Sequence, residues 1–214
     1  MKKYIFLIAV LISASVAFAQ RSAEARGILD KAYGAYENSK GIKMSFNLAT
    51  TDESGAEYPA QKGVAFIKGN KFKIEMPTLN TWFDGKTQWV LMKDFNEVNI
   101  SNPSGEEIAS ISPLALLGMY KSGYTLKQPV TKTVNGKSAF VIDMIPTASR
   151  SEFKDISVAI DKKSHTILQV GLTMKNGMKN NIDVLDYNAN YNFPDSDFVF
   201  DKDKYPKAEI IDLR

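Results

Sequence analysis

The stretch "KFKIEMPTLNTWFDGKTQWVLM", residues 71–92, decides how this chain is read. Phe72, Ile74 and Met76 alternate with Lys71, Lys73 and Glu75, the period-two pattern of a half-buried strand. The polar run beyond Met76 reads as turn. Residues 87–92 then read as a second strand, with Trp89 and Leu91 on one parity and Val90 and Met92 on the other. The segment builds pleated surface with bulky apolar side chains, yet brings no nucleophile, metal cluster or phosphate loop with it.

Working outward, similar short runs bounded by Gly, Pro, Asn and Asp predict strands over 42–50, 63–68, 97–101, 130–134, 138–145, 152–160, 166–174 and 181–187. Asn135-Gly136 predicts a type I′ hairpin. A helix is predicted from Ser22 to Ser39, because Ala25, Ile28, Leu29, Ala32 and Tyr36 form one stripe and Gly41 follows. A second, short helix is predicted at 113–121, within "SPLALLGMYKSG", residues 112–123. Ser112 can cap it, Pro113 suits its first turn and Gly123 closes it. Leu114, Leu116, Leu117, Met119 and Tyr120 make it apolar almost all round, so it must be covered or must cover something. Strands in series with hairpin-length links predict one large antiparallel meander.

Several strands are apolar on both parities: residues 64–67, 89–92 and 139–142. Two readings follow. Both faces are packed, as in a sandwich, or one face lines a cavity for an apolar ligand, roofed by the helix at 113–121.

The N-terminus has the features of an export signal. Lys2 and Lys3 precede an apolar run from Ile5 to Ile12, and Ala17-Phe18-Ala19 supplies a small-x-small cleavage site before Gln20. That run is shorter than the ~20 apolar residues a membrane span needs. The expected organisation is a cleaved signal peptide at 1–19, cut after Ala19, and a single domain at 20–214 in the periplasm. Removing residues 1–19 takes away two lysines and no acid, which lowers the formal charge from +3 to +1. No basic tract stands out, so no nucleic-acid partner is expected. With no cysteine there is neither a disulfide framework nor a thiol for lipidation after the signal.

The candidate chemical groups are sparse. His165 is the only histidine and lies in a polar turn, 161–165, where a solvated side chain is expected. One His and no Cys cannot make a usual zinc site. "DSDFVFDKD", residues 195–203, lacks the glycine of a calcium loop and is read as a last strand flanked by solvated acids. Glu106-Glu107 is placed in a Pro/Gly loop, and adjacency alone does not pair carboxylates for acid–base work. No metal, cofactor or enzymatic activity is expected.

The order of "FIKGNKFKIEMP", "FDGKTQWVL", "SPLALL", "FVIDMIPTA" and "FPDSDFVF" resembles the LolA family of periplasmic lipoprotein carriers, with Asp84 to Trp89 the most specific piece. The resemblance implies an α+β, mainly β fold: an open antiparallel half-barrel with helices over its concave face. It also implies a carrier that takes acylated lipoproteins from an ABC-type releasing complex in the inner membrane towards an outer-membrane acceptor, acting as a monomer. It places Phe66, Phe72, Ile74, Met76, Trp89 and Leu91 in an acyl cavity, and Leu114, Leu117 and Met119 on a lid helix. The chain departs from the family pattern at the turn before the first of these strands. Family members carry an arginine there that bonds the lid, whereas this turn reads Lys68-Gly69-Asn70. Lys68 is then the candidate latch, or the lid is held by apolar contact.

A carrier of this kind needs no catalytic residue. Each buried methylene contributes ~0.8 kcal/mol, so a multiply acylated protein cannot cross water without a comparable dry surface. The alternative within the same shape is a lipid or lipoprotein sensor or receptor that does not shuttle cargo.

Overall fold

The computed structural model describes residues 22–214, apart from the side chains of residues 106, 109, 110, 113 and 114. The expected signal segment and the Leu114 side chain lie outside the described residues.

Helix α1 (residues 22–37) presents Ala25, Ile28, Leu29 and Ala32 as one buried stripe. It stops at Asn38, whose backbone N–H and side-chain amide both donate to the Gly34 carbonyl, at 3.0 and 2.8 Å. The strands follow: β1 (Ile42–Thr51), β2 (Gln61–Lys68), β3 (Lys71–Glu75), β4 (Leu79–Phe83), β5 (Gln88–Met92) and β6 (Glu97–Ser101). Helices α2 (Gly105–Ile111) and α3 (Pro113–Met119) intervene. The chain continues through β7 (Tyr124–Leu126), β8 (Val130–Val134), β9 (Lys137–Pro146), β10 (Phe153–Asp161), β11 (Ile167–Met174), β12 (Lys179–Asn188) and β13 (Glu209–Asp212).

These strands form one open sheet in the order β13-β6-β5-β4-β3-β2-β1-β12-β11-β10-β9-β7, with β8 also on β9. Every pairing is antiparallel except that of β13 with β6. The Asn135-Gly136 turn has φ of 49° and 74°, the two left-handed residues that a type I′ hairpin requires. At the centre, β1 pairs with both β2 and β12, and a bulge in its pairing with β12 leaves Leu185 unpaired and exposed. Bulges bend a sheet and increase its local twist.

The topology explains the helical layer. Strand β6 is next to one edge of the sheet and β7 is at the other, so the link between them must cross the whole sheet. It does so as α2–α3. Leu116, Leu117 and Tyr120 join α1 and the inner faces of β1, β2, β3, β9, β10, β11 and β12 in one core. The link folds helically because its ends are well capped. Ser104 and Glu107 form a reciprocal capping box at α2, and Ser112 both ends α2 and caps α3 through the Ala115 N–H at 3.3 Å. Glu106-Glu107 therefore opens a helix rather than sitting in a loop.

The outer face is covered by the chain itself. After β12, residues 189–208 run back over β1 to β5 as a strap. The expected last strand at 195–203 is replaced by 3-10 turns at Asp195–Phe198 and Lys202–Lys204, and the final strand is β13. Phe198 is fully buried, and Phe200 and Tyr205 pack on Trp82 with ring centroids 5.5 and 5.7 Å away. Beneath the strap the sheet is packed on both sides, which is why 64–67 and 89–92 are apolar on both parities; at 139–142 the second parity instead clusters with Val134, Ala159 and Leu168.

Candidate ligand cavity

Which side chains face inward is settled by register. Phe72 pairs with Phe83, and Phe83 with Gln88; Ile74 pairs with Thr81, and Thr81 with Val90. These two rows lie on the concave face beneath the helices. The alternate rows, Lys73–Trp82–Trp89–Ile100 and Asn80–Leu91–Val98, lie on the outer face.

Two neighbouring cavities lie between the concave face and the helices, both touching β3. The larger, about 390 Å³, is bounded by Tyr33, Tyr36, Phe72, Phe83, the turn 69–71 and Ile108, Ser112, Ala115 and Gly118 of the α2–α3 link. The smaller, about 240 Å³, is lined by Phe46, Leu48, Ile74, Met76, Leu79, Val90, Ile111 and Ile182, with Thr81, Gln88 and Asn180 as its polar members. Phe46 reaches this position because Gly63 lies opposite it: a Cβ there would stand 2.3 Å from the Phe46 ring. Small-molecule sites commonly measure about 300–1,000 Å³ and are mostly apolar with a few placed polar groups; both cavities have that lining, and the larger alone reaches that size.

Besides the apolar core, one hydroxyl ties α1 to the sheet and another ties α3 to α1. Tyr36 donates its hydroxyl to the Gly69 carbonyl in the β2–β3 turn, the turn in which Lys68 was the candidate latch. Burial pushes the Tyr36 phenol up, so it stays protonated as a donor through the physiological range. Tyr120, after α3, donates to the Asp30 carboxylate on α1, and burial followed by that hydrogen bond raises its pKa as well. The Tyr33 ring lies edge-on between them, with centroids 6.1 Å from Tyr36 and 6.3 Å from Tyr120.

Of the residues expected in one cavity, the structure puts Ile74 and Met76 in the smaller and Phe72 in the larger. It separates Phe66, Trp89 and Leu91. Phe66 is edge-on to Phe193 of the strap at 5.7 Å, and Leu91 is buried with Trp82 and Val98, with Trp89 packed against them. The reason is β4. Reading residues 77–86 as turn omits a strand whose Trp82 pairs with Trp89, fixing Trp89 and Leu91 on the outer face. Lys68 does not latch the lid either. Its ammonium donates to the Phe193 carbonyl at 2.7 Å and pairs with Asp195 at 3.0 Å, holding the strap. On α3, the expected lid helix, Leu117 is buried and Met119 half-buried in the inner core, and neither lines either of these two cavities. Sequence reasoning missed Val90 and Gln88, although their parity, opposite to Trp89, is visible in the chain. Tyr36 is on the predicted helical stripe, but sequence offers no signal that its hydroxyl meets Gly69.

Among the described residues, no three His, Cys, Asp or Glu side chains converge on a metal site. None of the described helices is long and apolar enough to cross a membrane.

An open, helix-covered sheet with apolar cavities on its concave face defines a LolA-like fold. A family profile described as outer membrane lipoprotein carrier protein LolA matches residues 15–178, and the chain belongs to that family. No curated protein sequence matches the chain. Among solved structures, an uncharacterized conserved protein from Thermus thermophilus superposes with a TM-score of 0.59 at 12% identity, over 88% of this chain and 99% of that one. The lipoprotein LppX of Mycobacterium tuberculosis superposes with a TM-score of 0.51 at 13% identity, over 80% of this chain and 99% of that one. A LolA superfamily protein from Nitrosomonas europaea gives 0.47 at 12% identity, over 82% and 97%.

Proposed function

We propose that the protein is a periplasmic carrier of acylated lipoproteins, exported by the segment at 1–19, with acyl chains held between the concave face and the α2–α3 lid. One observation carries the reading: the cavity walled by Phe46, Ile74, Met76, Val90 and Ile182 beneath Ile111. Its lining offers dispersion contacts and thioether flexibility, which suit mobile hydrocarbon, and no group for bond-making chemistry. The closed volumes are modest, so loading involves movement of the helical layer, and the Tyr36 hydroxyl bond is weak enough to break reversibly. In this reading the donor is an inner-membrane ABC-type releasing complex, the receiver an outer-membrane acceptor, and no cofactor takes part.

The test is transfer between two membranes. Lipoprotein-loaded inner-membrane vesicles are incubated with the protein and then with outer-membrane vesicles. A carrier releases cargo from the first and deposits it in the second. Binding without deposition identifies the non-shuttling sensor, and absence of binding rejects both.

A further inference from the structure

We propose that Gln88 is a specificity residue that hydrogen-bonds the ester carbonyl at the polar end of a bound acyl chain. This rests on the carrier reading and adds what part of the ligand is recognised. Gln88 opens β5 on the concave face and is 5% exposed. Its amide Oε1 faces the Ser101 hydroxyl at 3.4 Å, whereas its Nε2 donor is buried and meets no acceptor among the described residues. Buried amide donors are nearly always paired, because an unpaired one forfeits its hydration.

Its location indicates the missing acceptor. Gln88 and Ile111 stand at a boundary, lining both the apolar cavity and a second hollow of about 560 Å³ formed with Ser101, Asn102, Glu107 and Arg214. One side is hydrocarbon in character; the other is mixed, with Ser101, Asn102, Glu107 and Arg214 beside Pro103 and Leu213. An acyl chain seated in the apolar cavity has one strong acceptor, the carbonyl where the chain meets its glyceryl unit, and in this seating that atom falls at the boundary. A neutral carbonyl fits better than a free carboxylate. The apolar cavity has no Lys or Arg in its lining, and the Arg214 guanidinium in the outer hollow is already paired with Asp212, at 2.9 Å through Nε and 2.5 Å through Nη2. The other two polar members carry no such signal, since no buried side-chain atom of Thr81 or Asn180 is left without a partner.

Ester carbonyls occur in both diacylglyceryl lipopeptides and phospholipids, so the test uses two matched pairs. Isothermal titration compares a diacylglyceryl lipopeptide with its dialkyl ether analogue, and a diacyl phosphatidylglycerol with its dialkyl ether analogue. The wild-type protein is expected to prefer ester over ether about tenfold in at least one pair, equivalent to about 1.4 kcal/mol. The pair that shows the preference identifies the source of the carbonyl. Gln88→Leu is expected to bring that ratio close to one. Equal binding of ester and ether in both pairs overturns the assignment while leaving acyl binding in place, as does a ratio that survives Gln88→Leu. Failure of all four probes to bind overturns the carrier reading as well.

Discussion

Removing the Tyr36 hydroxyl should weaken the protein and tighten its grip on an acyl ligand. Tyr36→Phe keeps the ring that lines the larger cavity and its edge contact with Tyr33, and removes only the donor to Gly69. Gly69 is exposed in its turn, so its carbonyl passes to water instead of being stranded. The loss is then that of one net hydrogen bond, about 1 kcal/mol, and not the larger penalty of a buried orphan. That moves the equilibrium between closed and open helical layers about fivefold towards open. Apparent affinity scales with the binding-competent fraction, so a diacylated lipopeptide should bind up to about fivefold more tightly while denaturant stability falls. Titration of the lipopeptide and urea denaturation of the same samples check both signs. Unchanged or weaker binding in the variant, with stability reduced, would refute the latch.

Further outcomes follow from the placement of the other side chains. Met76→Glu puts a charge on a half-buried wall of the smaller cavity; it should cost about 1 kcal/mol in urea denaturation but reduce lipopeptide binding at least about tenfold. Leu91→Ala opens a void in the outer cluster and should cost about 2–5 kcal/mol, with lipopeptide affinity per folded molecule unchanged. Lys71 and then Lys68 hold the Asp195 carboxyl below its usual 3.8. The folded-state value is the lower one, so this contribution is complete above 3.8 and lost as pH falls through the lowered pKa. Amide exchange at residues 193–198 should therefore lose protection as pH falls below 3.8, weakly and with salt sensitivity because the pair is exposed, and Asp195→Asn should remove that dependence.

Much of the fold was legible because hydrophobic period and turn chemistry are local. Alternation located β1, β2, β3, β5 and β6, and Asn135-Gly136 fixed the β8–β9 hairpin. Strand β4 escaped because Asn80 and Thr81 read as turn residues, and both are buried only through their neighbours. That single omission assigned Trp89 and Leu91 to the wrong face, since a strand's facing depends on the register of every strand between it and the centre. The capping box at Ser104 and Glu107 was present as S-x-x-E, but its surroundings of Asn, Pro and Gly masked it. The strap was not legible. Its aromatic residues resemble a strand, and only the tertiary structure shows that Trp82 and Phe66 need cover.

The most direct test of an acyl cavity on the concave face is photo-crosslinking with a lipopeptide carrying a diazirine in its acyl chain, followed by peptide mass spectrometry. Adducts are expected on Ile74, Met76, Val90 and Ile182, and on Ile111 of the lid. Adducts confined to Trp89, Val199 or Phe200 on the outer face, or none above a control without ultraviolet light, would contradict it.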